Sequence, residues 1–252
     1  MFTRAIVRRP GPDFAAGLTT SKLGPPDPER MRVQHLAYVE ALRALGLKVE
    51  VLDALPGFPD AYFVEDVAVV VPELAIVTLP GAASRREEAG PMAPVLARYR
   101  EVARLRPPAT LDGGDVLVAG QTVFVGLSAR TNAEGASQLQ RLLEPSGYRV
   151  RKVPVAAGLH FKSSVNWLGG DTLLVSERFA DRDELRGFRH LVLDIADEAA
   201  CNTLLVNGTL LAPAGFPGAR QKLERAALPI VELEVSEARK MDGGLTCMSL
   251  RL

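Results

Sequence analysis

Cysteine, histidine and tryptophan are scarce in this chain, and neither sign of charge dominates it. Two cysteines among 252 residues do not make a disulfide framework, so a reducing compartment is the simpler expectation. The three histidines and two cysteines lack the spacing of a zinc site; neither metal nor cofactor is expected. Thirty basic residues balance thirty acidic ones, which argues against non-specific nucleic-acid binding but leaves room for a small charged ligand. No apolar run approaches the roughly 18 residues needed to span a bilayer. The opening MFTRAIVRRPGPDF carries Arg4, Arg8 and Arg9 and lacks the apolar stretch of a signal peptide. The expectation is a cytoplasmic protein with neither nucleic acid nor membrane as partner.

What the chain does have is a repeat. Residues 29–46 place apolar groups at helical spacing and stop at Gly46, and LKVEVLDAL follows as a strand. YFVEDVAVVV and LAIVTL then read as a hairpin, followed by a helical stretch near 87–100 and the strand EVARL. The same order returns in LDGGDVLVAG, TVFVGLS, NAEGASQLQRLLE and YRVRKVPV. It returns again from HFKSSVNWLGG through TLLVSE, a helix near 181–187 and HLVLDIA, and a fourth time from CNTLLVNGTLLAPA to IVELEV. The last segment, GLTCMSLRL, only begins a unit. Its missing strand, helix and strand are what the N-terminus supplies. Units open near 63, 111, 160, 201 and 245, a spacing of roughly 40–50 residues that signals a repeat architecture. The predicted fold is α/β: a five-bladed α/β propeller of ββαβ units, the last closed by the N-terminal segment, with residues 1–252 as a single domain.

The chemically capable residues fall at the unit openings: Glu65 and Asp66, Asp112 and Asp115, His160, Cys201 and Asn202, then Cys247. In a ring of repeats, equivalent positions lie at one level, so these groups would converge at one end of the channel. Each also has a plainer reading. DGGD suits a tight turn, a lone histidine is often structural, and a free cysteine is usually a buried apolar thiol. Glu65-Asp66 is read as a charge pair within an apolar strand, which costs several kcal/mol unless satisfied. Cys201 reads as core. His35, in the helix, and His190, in a strand, occupy no opening.

FVEDVAVV, PGAASRREE, LDGGDVLVAG, VGLSARTN, GLHFKSS and MDGGLTCMS, in that order and across essentially the whole chain, resemble the dimethylarginine dimethylaminohydrolases of the guanidine-modifying superfamily. The resemblance implies a hydrolase that releases citrulline and an amine from free N-methylated arginine through a covalent cysteine intermediate. It makes Cys247 the nucleophile, His160 the general acid and base, and Asp112 the group that orients His160. Asp60, Glu65 and Asp66 would bind the guanidinium and neighbouring nitrogens, and Arg85 and Arg130 the carboxylate. Without the resemblance, Arg85 beside Arg86, Glu87 and Glu88 reads as a surface ion-pair cluster. Leu18 would sit on a loop that lids the site, Ser163 near the α-amino end, and Met241 would offer its backbone. The partner implied is a small molecule, methylated arginine; a homodimer is left open. The alternatives are an arginine deiminase or an amidinotransferase on the same scaffold, or a propeller that only binds, as ribosome-associated initiation factors of this shape do.

Overall fold

The structure, a computed structural model, describes residues 1–155 and 160–252. Its strands form five three-stranded sheets. In four of them the central strand is Leu74–Val77, Thr122–Leu127, Thr172–Ser176 or Thr209–Pro213. Each pairs antiparallel with the strand before it and parallel with the strand after it. The fifth sheet is centred on Arg4–Arg8. It pairs antiparallel with Leu250–Arg251 (Ala5 opposite Arg251) and parallel with Lys48–Leu52 (Arg4 opposite Lys48). The two ends of the chain thus close one blade, and the five-bladed α/β propeller expected from the repeat is the fold observed.

The central strands explain why the ring holds. Successive side chains of a strand point to opposite faces, and here both faces are covered. In Leu74–Val77, Ala75 and Val77 join the apolar cluster shared with the fifth blade, and Ile76 joins the one shared with the second. In Thr122–Leu127, Val123 and Val125 face one neighbour while Phe124 faces the other. Leu173 and Val175 against Leu174, Leu210 and Ala212 against Leu211, and Ala5 and Val7 against Ile6 repeat the pattern. Five clusters, one between each pair of adjacent blades, replace a single core. Strands buried on both sides read as near-continuous apolar runs, as these do.

Helices cover the outside. Helix α1 (Pro28–Ala44) has Asp27 as its cap, accepting the Arg30 N–H at 2.8 Å, and Pro28 in its first turn. Gly46, at φ +88°, ends it. The stretch expected near 87–100 is a 3-10 turn, Ala83–Glu88, leading into α2 (Ala89–Leu96). Helix α3 (Ala133–Leu143) is capped by Asn132, and α4 is Pro217–Leu223. The helix expected near 181–187 is absent from the third unit. Two 3-10 turns, Glu177–Phe179 and Asp183–Leu185, stand there instead. Of residues 181–187 only Leu185 is apolar and buried, so a helix would have no stripe to bury.

Each blade opens with a 3-10 turn ahead of its first strand: Val64–Val67, Gly113–Asp115, Phe161–Ser163, Ile195–Cys201 and Thr246–Met248. Glu65 and Asp66 therefore lie in such a turn and not within the strand read from the sequence, which starts only at Ala68. A turn leaves side chains free to point along the ring's end, where charged partners satisfy them.

Candidate active site

The opening turns meet one another around the ring, and the fourth is tied to the fifth by Asn202, whose side-chain carbonyl accepts the Thr246 N–H at 2.9 Å. Where they meet lies a cavity of about 20 Å³ lined by Leu18, Asp60, Phe63, Asp66, Arg85, Arg130, His160, Met241, Asp242, Gly243 and Cys247. Of the residues expected to form the site, Leu18, Asp60, Asp66, Arg85, Arg130, His160, Met241 and Cys247 are in its wall. Asp112 stands immediately behind. Glu65 and Ser163 are not in the wall.

His160 is almost fully buried and is gripped by carboxylates. Its Nε2 lies 2.9 Å from Asp112 Oδ2, and its Nδ1 lies 3.7 Å from Asp66 Oδ1. Asp112 is fixed in turn by the Gly81 N–H, which donates to Oδ1 at 2.8 Å. Burial alone would lower the imidazole's affinity for a proton, but Asp66, the bond to Asp112 and the charge of Asp115 outweigh it and push His160 up to about 9. The ring is an imidazolium at neutral pH. Asp115 acts one step further out. It accepts from Ser128, Thr131 and the Phe161 N–H, fastening the loop that bears Arg130 to the backbone just after His160. Gly158 and Leu159, part of the segment singled out with His160, lie outside the described residues.

Gly114 is required by this packing. Its N–H donates to Asp66 Oδ1 at 3.0 Å, and a Cβ there would fall 2.6 Å from His160 Nδ1 and 2.7 Å from Asp66 Oδ1. The DGGD motif is thus a turn, as its plainer reading had it, and also the seat of the imidazole.

The two arginines differ. Arg85 is buried, not a surface ion-pair member. It pairs with Asp66, holds Glu88 at 2.8 Å, and donates to the carbonyls of Asp60 and Phe63 at 3.1 and 3.2 Å. Burial would lower Asp66's acidity, yet His160 and Arg85 beside it hold it below the usual carboxylate range. Glu88, desolvated more than Arg85 compensates, rises to about 7. The half-buried Arg130 guanidinium, by contrast, makes no hydrogen bond or ion pair among the described residues.

Cys247 is half-buried on the cavity wall. Burial first, then the charges of Glu65 and Asp66, push its thiol up to about 12, against smaller opposing contributions from the Gly244 backbone and Lys162. Glu65 itself is committed: Thr246 donates to it at 2.8 Å, Lys162 sits at 2.7 Å and Arg251 at 3.1 Å. Buried charges persist only when paired in this way. Asp66, Asp112 and His160 offer three potential metal-binding atoms within 4.8 Å of one another. The same carboxylates hold the imidazolium, so a divalent ion would have to displace its proton.

Sequence reasoning missed Phe63, Asp242 and Gly243. A Cβ on Gly243 would lie 2.0 Å from the Phe63 ring, so the two form one wall. Lys162 was also overlooked; nothing in its spacing signals a partner as distant in the chain as Glu65.

The ring and the groups at its mouth define a class: an α/β propeller that gathers a thiol, an imidazolium and carboxylates around a small cavity. A family model described as N,N dimethylarginine dimethylhydrolase, eukaryotic, matches residues 27–181. The chain is 37% identical over 253 residues to N(G),N(G)-dimethylarginine dimethylaminohydrolase of Pseudomonas aeruginosa, covering 100% of both. It is 38% identical to the protein of that name from Streptomyces coelicolor, covering 99% of this chain and 96% of that one. A structure of the P. aeruginosa protein, a cysteine-to-serine mutant complexed with citrulline, superimposes with a TM-score of 0.96 at 36% identity and full coverage of both chains. The chain belongs to the dimethylarginine dimethylaminohydrolase family.

Proposed function

We propose that the protein hydrolyses free N-methylated arginine, asymmetric dimethylarginine or monomethylarginine, to citrulline and dimethylamine or methylamine. The observation that carries this is the meeting of Cys247, His160 and Asp66 in one cavity with Arg130, whose guanidinium has no partner among the described residues.

A guanidinium carbon is a poor electrophile, because three nitrogens share its charge. Asp66 faces the cavity and binds that cation by charge-assisted hydrogen bonds, holding the carbon near Cys247 Sγ. Glu65, already paired to Lys162 and Arg251, acts through its charge. Arg130 takes the substrate's carboxylate, with Arg85 contributing what its buried pairings leave free. Asp60 and the Leu18 backbone are placed for the α-amino end. Met241 lines the cavity and offers its backbone to the substrate, and Ser163, outside the wall, acts near the α-amino end. A carboxylate subsite excludes arginine within a peptide.

The thiol of Cys247 is neutral in the free protein. The bound cation and the imidazolium offset the carboxylates that hold it so, and the proton leaves to solvent. Thiolate attack gives a neutral tetrahedral adduct. His160, oriented by Asp112, protonates the departing amine, leaving a cationic S-alkylthiouronium. Neutral His160 then takes a proton from water as its oxygen attacks carbon. The C–S bond breaks, citrulline forms, and the second proton released returns to the thiol or to solvent.

No helix among the described residues is long and apolar enough to cross a membrane, and both cysteines are free, which supports a cytoplasmic setting. Exposed Val33 and Leu36 on the outer face of α1 offer a surface for a homodimer.

The test is citrulline release from asymmetric dimethylarginine, monomethylarginine and arginine. Turnover of the methylated substrates over arginine is expected. Turnover of arginine alone would make the protein a deiminase, and no citrulline from any of them would remove the hydrolase reading altogether.

A further inference from the structure

The cavity is walled on one side by Leu18, and residues 17–23, which carry it, are the part of that wall built to move. None of them is buried, and Leu18, which lines the cavity, is 42% exposed. No apolar contact of the core holds this segment down; two carboxylates do. Asp60 accepts the Leu18 N–H, with both oxygens at 3.1 Å. One oxygen of Asp242 accepts from the Thr20 N–H and from the Thr20 hydroxyl at 3.0 Å, and lies 3.3 Å from the Thr19 hydroxyl, which also reaches the Lys240 carbonyl at 2.9 Å. Gly24, at φ +85°, follows the segment and supplies a joint only glycine adopts freely. Beyond it the chain is anchored again, where the Asp27 N–H donates to buried Glu237 at 2.8 Å.

Asp60 lies inside the cavity and is exposed to whatever occupies it. Asp242 is different: its carboxylate points to the segment, while its backbone lies in the loop that runs through Gly243 and Gly244 to Cys247. It holds φ at +58°, a conformation for which aspartate, asparagine and glycine are suited. We propose that Asp242 is a positioning residue for the reaction: its carboxylate latches residues 17–23 shut over the bound amino acid, and its release sets how readily substrate enters and citrulline leaves. The identity of that amino acid rests on the function proposed above, but the latch itself stands on these contacts alone.

Lys22 is exposed in the middle of the segment, so trypsin cleavage after it reports opening without reference to activity. Asp242→Gly removes the latch and relaxes the φ constraint; Asp242→Asn keeps one acceptor oxygen; Thr20→Val removes a donor from the other side and leaves the cysteine loop untouched. The expected result in Asp242→Gly is cleavage after Lys22 about tenfold faster, the equivalent of one charge-assisted hydrogen bond. KM should rise by a similar factor while the rate at saturation is kept or increased. Thr20→Val should follow in the same direction and Asp242→Asn should fall between. Unchanged cleavage in both Asp242→Gly and Thr20→Val overturns the latch, as does a fall in kcat at constant KM with cleavage unaltered, which would mean that Asp242 only orders the cysteine loop. Protection of Lys22 by added L-citrulline in the wild type is a separate reading. Its absence alongside faster cleavage in the variants would leave the latch in place and count against the proposed substrate.

Discussion

Cys201 and Cys247 stand in the opening turns of neighbouring blades, and their environments differ in kind. Cys201 is fully buried among Leu168, Leu174, Leu210 and Ala212. Burial raises its thiol far out of the titrating range, with the Glu198 and Asp197 charges adding to the effect. Cys247 borders a cavity whose walls include Asp66, His160 and Arg130. Its thiol is also pushed up, to about 12, by burial first and then by the Glu65 and Asp66 charges, but Asp66 lines the cavity, where a bound cation can neutralise it. Similar placement in a repeat thus fixes where a side chain stands, while the neighbours decide what it can do. The charges beside Cys201 are not in the cavity wall, so a cation bound in the cavity lowers the thiol of Cys247 and leaves that of Cys201 where it is.

The sharpest break in that comparison is Cys247→Ser. Removing a covalent nucleophile should cost about 10⁴-fold or more in citrulline formation, with the melting temperature nearly unchanged because the side chain is only half-buried. A loss smaller than tenfold would mean that the chemistry runs without the thiol.

Gly114→Ala attacks the imidazolium and carboxylate that face Cys247. The new methyl meets His160 Nδ1 and Asp66 Oδ1 at under 3 Å, so imidazole and carboxylate must move apart. Misplacement of about 1 Å can cost on the order of 10²-fold, and that loss in kcat is expected. Wild-type kcat in the Gly114→Ala enzyme would show that the Asp66–His160 geometry is not what the reaction uses.

Titration separates the two thiols next. With His160 at about 9, kcat should fall as pH rises through that value, because the acid that protonates the amine is lost. The same shift carries a stability change. The folded value lies above the ordinary histidine value of 6.5, so the stabilisation is fully present below pH 6.5 and lost as pH climbs through about 9. Neutral iodoacetamide should label Cys247 slowly at pH 7, faster at each pH above it, and label Cys201 only on unfolding. Rapid labelling of Cys247 at pH 7 in the free protein would contradict the neutral thiol.

The ring was legible in the sequence because a period survives even where elements vary: apolar runs bounded by Gly and Pro recur, and the openings mark themselves by charge. For the same reason Cys247, His160 and Asp66 could be placed together without coordinates. What the sequence hid depends on pairings across the ring. Nothing local tells that Lys162 and Arg251 converge on Glu65, so the carboxylate read as a substrate ligand is one already committed. Arg85 and Glu88, three apart, invite an ion pair from sequence, but their burial is set by Asp60, Phe63 and Asp66 from another segment. The helix misplaced at 181–187 shows the converse error, where a repeat rule overrode a segment with a single buried apolar residue.

The mildest prediction concerns Cys201. Its sulfur packs in an apolar cluster between the third and fourth blades, and its backbone carbonyl accepts from Asn166 at 2.8 Å, a bond any residue at that position would keep. Cys201→Ala therefore removes one buried atom and no polar contact. The cost should be about 1–2 kcal/mol, a fall of about 3–6 °C in melting temperature for a chain of this size. Citrulline formation per folded molecule should stay at the wild-type level, since Cys201 is not among the residues that line the cavity. Loss of activity in a folded Cys201→Ala protein would mean that the blade interface transmits to the turn at Asn202 and Thr246, and that the two cysteines are not as independent as their surroundings make them.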